Sequence, residues 1–239
     1  VSIKLFHGDC LEVMSHLDID YTNTVLVSDP PFNIGYHYNE YNDAMHEDDY
    51  YTMLHDVFGQ HSHVMIHYPE SLYKHSFTIG RFPERVVSWV YNSNTPRQHR
   101  DIAFFGIKPD FSRIGQPYKN PTDKRIAKRI AEGKQAKLYD WWNVNQVKNV
   151  STDKTAHPCQ MPYEVMRRII GVLPESVTIL DPFMGSGTTG MACIELNRAF
   201  IGIEVDETYF RIADERLRIA QIASATADTN TTHKGDTPK

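Results

Sequence analysis

The sequence predicts an α/β protein built on a mostly parallel sheet with helices on both faces. Short apolar runs alternate along the chain with segments of helical periodicity, the order from which parallel sheets are assembled. One run, Thr24–Val27, is continuous rather than alternating, as expected of a strand buried from both sides. This run and Val177–Leu180 each lead into an aspartate followed by a proline-containing turn. In a parallel sheet both turns fall on the same edge.

Taken in order, the first element is a β-type run, Ile3–Phe6, followed by Gly8-Asp9 and a helix over about Leu11–Leu17. Thr24–Val27 ends at Asp29-Pro30-Pro31-Phe32, where two prolines stop the ladder. Asp48–Phe58 reads as a helix whose acidic first turn suits the macrodipole. Strands are expected at His63–His67, Arg85–Tyr91 and Ile102–Ile107. From Lys108 to about Thr155 the rhythm is lost in favour of Asn, Lys and Arg, with one helix over Asp123–Ala136. Alternation resumes at Pro162 with a helix to Val172 and a strand, Val177–Leu180. A glycine-rich turn, Asp181–Gly187, a helix over Thr188–Leu196, a strand, Phe200–Val205, and a helix, Glu207–Ala220, follow. Beyond Ile222 the composition predicts a disordered tail. The expected organisation is thus one domain in two halves, 1–107 and 156–221, around an insert at 108–155, with a tail at 222–239.

Composition narrows the classes. Of the 239 residues 41% are hydrophobic and 23% charged, values ordinary for a soluble globular chain. No apolar run is long enough for a membrane span, and the first residues lack the pattern of a signal peptide. Three widely spaced cysteines, Cys10, Cys159 and Cys193, argue against a disulfide framework and a cysteine zinc site. These features predict a cytoplasmic protein. His61, His63 and His67 share one face of a strand, but without accompanying acids or cysteines they predict ordinary histidines and no metal. The net charge is −5, yet Arg113–Lys137 holds eight basic residues against two acidic ones. Arg113, Lys119, Lys124, Arg125, Lys128 and Arg129 are the candidate phosphate contacts. The bland alternative is a solvated helix face.

Two motifs carry chemistry. In VTILDPFMGSGTT (177–189), a strand delivers Asp181 and Pro182 to its carboxyl end, and Phe183, Gly185, Ser186 and Gly187 form a tight turn. Thr188 then opens a helix with free N–H groups. The next strand ends in Glu204, placed to accept ribose hydroxyls. The turn lacks a dinucleotide fingerprint, so a nucleoside without phosphate is expected, and S-adenosylmethionine fits that description. The second motif, SDPPFNIG (28–35), combines an acceptor carboxylate, two stiffening prolines and an aromatic ring. Asp29 can accept from an exocyclic amine, Pro30 can offer its carbonyl, Pro31 braces the turn and Phe32 can stack on a base. Such a site transfers a group by positioning more than by strong base catalysis.

Together these motifs resemble the amino-methyltransferases of DNA, whose catalytic D/N/S-P-P-Y/F and cofactor FxGxG motifs appear here as DPPF (29–32) and FMGSG (183–187). The catalytic motif comes first, an order similar to the β group of that family. Gly8-Asp9-Cys10-Leu11 resembles the segment that lies near the cofactor adenine, implying cofactor contacts by Asp9 and Cys10. His157-Pro158-Cys159-Gln160-Met161-Pro162 resembles HPTQKP, with Met161 in place of the usual lysine. The resemblance implies a circularly permuted Rossmann-like fold, S-adenosylmethionine as methyl donor and base flipping out of DNA. It assigns Lys108–Thr155 to target recognition, which coincides with the basic segment. That region is short, so it suits a few bases or recognition shared with a second subunit. Trp141 and Trp142 are expected to pack it onto the core. A restriction endonuclease acting separately fits the family, and no endonuclease motif is visible.

An aspartate at position 29 favours N6 of adenine, with N4 of cytosine as the alternative. The loop has no cysteine nucleophile, which excludes C5-cytosine chemistry. Amino-methyltransferases acting on RNA or protein glutamine fit the motif order poorly. A non-catalytic DNA-binding relative is opposed by intact Asp29, Phe32, Asp181 and Glu204. The acidic stretch Glu40–Asp49 is read as a mobile loop or subunit contact.

Overall fold

The computed structural model describes residues 1–36, 41, 43–147, 155 and 159–232, with side chains to 226. The chain opens with β1 (Ile3–His7), α1 (Cys10–His16), β2 (Thr24–Ser28), α2 (Glu47–Phe58) and β3 (His63–His67). Next come α3 (Pro69–Thr78), β4 (Arg85–Val90), β5 (His99–Phe105) and a small excursion of β6 (Gly115–Gln116), α4 (Lys124–Ala131) and β7 (Ala136–Lys137). The remainder is β8 (Trp141–Asn143), α5 (Tyr163–Gly171), β9 (Thr178–Asp181), α6 (Thr188–Glu195), β10 (Phe200–Glu204) and α7 (Glu207–Thr232).

Eight strands form one sheet in the order β1-β10-β9-β2-β3-β5-β4-β8. The first five run parallel, β5 is antiparallel to both β3 and β4, and β8 is parallel to β4. Every residue of β2 is buried, which explains its uninterrupted apolar run. One face of the sheet packs against α5, α6 and α7 through Val165, Ile169, Ala192, Cys193 and Leu217. The other packs against α1, α2 and α3 through Met14, Tyr50, Leu54, Phe58 and Leu72. The chain moves from β9 to β10 on one side and from β2 to β3 on the other. The β9/β2 pair is therefore the topological switch point, where a crevice opens at the strand carboxyl ends. Among the described residues no helix is long and apolar enough to cross a membrane.

Three expectations need correcting. The tail predicted from residue 222 is helical to Thr232, because a helix nucleated on the core continues cheaply through an alanine-containing sequence; residues 233–239 lie outside the described residues. The helix expected over Asp123–Ala136 stops at Ala131, where Glu132 and Gly133 end it, and Ala136 instead opens β7. The acidic stretch is not a free loop where described: Glu47–Asp49 form the first turn of α2 and Asp43 is buried. Trp142 is fully buried while Trp141 is half exposed, the two-residue alternation of a strand splitting the expected pair.

Candidate active site

The crevice is a cavity of about 300 Å³, within the range of small-molecule sites. Its wall gathers the Gly8–Leu11 turn, the Asp29–Phe32 loop after β2, the turn after β9 and the end of β10. Asp9, Cys10, Pro182, Phe183, Gly185 and Glu204 all line it. Asp9 also caps α1, accepting from the N–H groups of Leu11 and Glu12 at 3.0 and 3.1 Å. Burial pushes the Cys10 thiol up to about 12, so it lies at the wall as a protonated, unreactive group.

Glu204 closes β10. Its carboxylate accepts from the N–H groups of Gly185 at 2.8 Å and Asp206 at 2.9 Å, one oxygen each, leaving lone pairs for a ligand. Burial raises its pKa to about 7. Gly185, at φ 52°, is what lets the turn bring its N–H onto Glu204. Asp181, Ser186 and Thr188 instead border a smaller adjoining cavity that also touches Asp29. The Asp181 carboxylate is occupied by Ser28 Oγ at 2.7 Å, the Phe183 N–H at 3.1 Å and Thr189 Oγ1. It therefore ties β2, β9 and α6 together, and burial raises its pKa to about 6. Gly187 reaches neither cavity: at φ 78° it caps α6, and a Cβ there would meet Ala213 at 3.1 Å. That close approach is a packing reason for glycine at this position.

Asp29 stands at the cavity wall with its side chain 13% exposed. Burial lifts its pKa to about 6, with Arg100 opposing the shift. One carboxylate oxygen, Oδ1, is buried without a hydrogen-bond partner. Phe32 stacks on His67 with ring centroids 4.3 Å apart.

The loop carrying these residues is held by groups that sequence reading did not select. Asp43 accepts from the N–H groups of Asn33, Ile34 and Tyr36 at 2.7, 3.1 and 2.9 Å. Asn33, in the left-handed region at φ 55°, exchanges two side-chain hydrogen bonds with the backbone of Met45. His67 Nδ1 accepts from the Tyr68 N–H, so its Nε2 carries the proton donated to Tyr50 Oη, 2.8 Å away. Tyr50 in turn donates to the Pro31 carbonyl at 2.8 Å. Burial pushes His67 down to about 3, fixing it neutral. Arg100, on β5, places Nη1 3.4 Å from Asp29 Oδ2 and its guanidinium carbon 4.5 Å from the centre of the Phe32 ring. Met161, where a lysine was expected from the resemblance, is buried with its sulfur 4.0 Å from Arg100 Nη1. His157 and Pro158 lie outside the described residues. His63 is buried against His75, ring nitrogen to ring nitrogen at 3.0 Å, and His61 stacks on Tyr21.

The charge of the lining tests what can bind. Among the described residues Asp9, Asp29, Asp43, Glu204 and Asp206 face the cavity against one guanidinium, Arg100. Such a wall repels phosphate and suits a cationic nucleoside. S-adenosylmethionine, whose sulfonium is positively charged, meets that requirement, and Glu204 has the free lone pairs for ribose hydroxyls.

The predicted DNA contacts separate into two groups. Lys124, Arg125, Lys128 and Arg129 all lie on α4, which buries no residue, with Asp123 as its N-cap. Lys119 lies over the rings of Tyr139 and Trp141 at 4.5 and 5.6 Å. Arg113 is elsewhere, paired with Glu175 at 3.2 Å and Asp110 at 3.8 Å.

Sheet order, switch-point cavity and acidic lining define a Rossmann-like α/β protein with a nucleoside crevice next to a rigid Pro-Pro loop. The chain belongs to the DNA methylase family N6_N4_Mtase, which its sequence matches over residues 24–215. It is similar to the type II methyltransferase M.HpaI of Haemophilus parainfluenzae, at 26% identity over 90% of this chain and 74% of that protein. It is equally similar to the DNA adenine methyltransferase YhdJ of Escherichia coli K12, at 26% identity over 92% and 84%. Among solved structures, PvuII DNA methyltransferase (cytosine-N4-specific) shares the fold with a TM-score of 0.64 at 16% identity, over 94% of this chain and 93% of that one. The M1.HpyAVI–SAM complex does so with a TM-score of 0.55 at 24% identity, over 90% and 100%.

Proposed function

We propose that this chain transfers a methyl group from S-adenosylmethionine to N6 of adenine within a short DNA sequence. The observation that carries the reading is Asp29, a residue of the acidic cavity wall whose Oδ1 is a buried acceptor without a partner. A buried acceptor left unsatisfied costs about 1–3 kcal/mol, and an incoming exocyclic N–H recovers that. YhdJ, named a DNA adenine methyltransferase, supports adenine over cytosine.

When bound, the cofactor supplies an electrophilic methyl group. Glu204 and Asp9 hold its nucleoside end, and the acidic lining favours its positive charge. Asp29 accepts one N–H of the flipped base, and the Pro30 carbonyl is the second acceptor in the loop. The amine lone pair is thereby turned away from the ring and toward the methyl group. As nitrogen becomes tetrahedral its N–H acidity rises steeply, and Asp29, ionised above about pH 6, takes the proton. Tyr50 and Asp43 keep the loop from yielding, so orientation and not a strong base supplies most of the rate. The exposed cations of α4 and Lys119 grip phosphate. A second copy of the chain and a separately acting endonuclease remain compatible with this scheme.

The test is to methylate unmodified DNA with labelled cofactor, digest it to nucleosides and map the modified positions. N6-methyladenine is expected. N4-methylcytosine in its place refutes the base assignment, and an Asp29→Ala protein with full activity refutes the mechanism.

A further inference from the structure

Arg100 and Asp29 form an ion pair whose hydrogen-bonding capacity is only half used. The contact is single and long, Nη1 to Oδ2 at 3.4 Å, although both side chains are about equally withdrawn from solvent, 14% and 13% exposed. A guanidinium normally meets a carboxylate through two parallel N–H bonds. Here Arg100 Nε is buried without a partner, and so is Asp29 Oδ1. A donor and an acceptor therefore stand unspent on two groups that already touch, and both groups line the cavity. The guanidinium is fixed where it is: it lies 4.5 Å from the Phe32 ring centre, 5.5 Å from that of Trp89 and 5.9 Å from that of Tyr68. It rises from β5, inside the sheet, and not from a loop. Unsatisfied buried polar atoms are rare and call for an explanation. A purely structural pair would have closed on itself; here both residues line the cavity while Arg100 Nε and Asp29 Oδ1 stay buried and unpartnered behind its wall.

We propose that Arg100 reads the target base, donating to the ring nitrogen adjacent to the amine that Asp29 accepts. An acceptor beside a donor is complementary to a donor beside an acceptor, which is the amidine edge of an aminated nucleobase. In adenine the partners are N6–H with N1 on that edge, or with N7 on the imidazole side of the amine. The inference rests on the proposed methyl transfer to a base amine, since that is what places the amine at Asp29. It adds a specificity determinant: bases whose ring position beside the functional group carries N–H, such as guanine at N1, present a donor to the guanidinium and are rejected.

The experiment uses the full chain and duplexes in which the mapped target adenine is replaced by 1-deazaadenine or 7-deazaadenine. Each analogue keeps the amine and deletes one ring nitrogen. Wild-type protein should lose at least about tenfold in kcat/KM on one of the two, the size of a lost hydrogen bond to a charged group. Arg100→Met should show that loss already on adenine and no further loss on the same analogue. Its side chain fills the same apolar surroundings, and Arg100→Lys, keeping a charge without the planar fork, should lose the coupling too. Two results overturn the proposal. Either wild-type protein uses both analogues as well as adenine, a result that needs no variant, or the analogue penalty persists unchanged in Arg100→Met. An Arg100→Met protein faster than wild type on every substrate also overturns it, marking the guanidinium as a plug. Failure of the wider reading is separate: no methyl in any base of ordinary DNA overturns both. If the product is N4-methylcytosine, 3-deazacytosine replaces the purine analogues and the same criteria apply.

Discussion

Asp43 offers the sharpest test of how the catalytic loop is held. Its carboxylate accepts three backbone N–H groups, from Asn33, Ile34 and Tyr36, while its own carbonyl accepts a fourth from Gly35 at 2.7 Å. Asp43→Ala removes the three side-chain bonds and leaves the backbone bond. Hydrogen bonds to a charged group are worth about 1.5–3 kcal/mol each. The loop is partly exposed at Ile34–Tyr36, so water recovers much of that, and the net loss in loop order comes to about 2–3 kcal/mol. If that order is required in the transition state, kcat falls roughly 30- to 150-fold. Cofactor affinity should change much less, because Asp43 is only one of several acids at the wall. Asp43→Asn, which keeps an acceptor oxygen, should fall between wild type and Asp43→Ala. Single-turnover methyl transfer at saturating cofactor reads the effect directly. A twofold or smaller loss in Asp43→Ala would refute the idea that this residue holds the loop.

Other expectations follow from the same geometry. Because burial lifts Asp29 to about 6 and the ionised form is the working one, the rate should fall as pH drops through about 6. A profile flat from pH 7 to 5 would contradict that role. Glu204 is raised to about 7, and a cationic ligand favours its carboxylate form, so cofactor binding should strengthen as pH rises from 6 to 8. Glu204→Gln should weaken binding at least tenfold and flatten that dependence in a calorimetric titration; an unchanged slope would assign the pH effect elsewhere. Replacing Lys124, Arg125, Lys128 and Arg129 by Gln should lower DNA affinity and reduce the salt slope by about 0.9 for each phosphate that is no longer neutralised. Arg113→Gln, whose parent side chain is paired with Glu175, should leave the slope nearly unchanged. Equal effects of the two changes would remove α4 from the DNA interface.

Most of the fold was legible because its signals are local. Each strand of the parallel half ends within a residue or two of its predicted bound, since burial on both faces enforces an apolar run and a turn ends it. Among the helices the one missed outright is α3, and its burial explains why. Tyr73 and Phe77 are 71% and 91% exposed, whereas His75 and Ser76 are buried, so the helix shows an inverted hydrophobic pattern. The short β8 was hidden for a different reason. A three-residue edge strand carries too few residues to display a period, and its pairing with β4 is a tertiary fact.

The site divides along the same line. Asp29, Phe32, Phe183, Gly185 and Glu204 were legible because each sits in a motif where strand end and turn chemistry coincide. Asp43, Tyr50, His67 and Arg100 were not, because each belongs to a residue type with an unremarkable local meaning: an acid in an acidic stretch, a tyrosine on a helix, an alternating histidine, a basic strand residue. They acquire a role only when β3 pairs with both β2 and β5. That pairing brings His67 and Arg100 to the Phe32 ring, 71 residues separating Arg100 from Asp29. The division has a mechanical logic. A Pro-Pro loop restricts its own backbone but cannot set its position relative to the sheet, and a transfer that depends on orientation needs both. The second requirement is met by groups on β3, β5 and α2, elements whose own positions the core fixes. The loop supplies the acceptor, and the sheet decides where that acceptor stands.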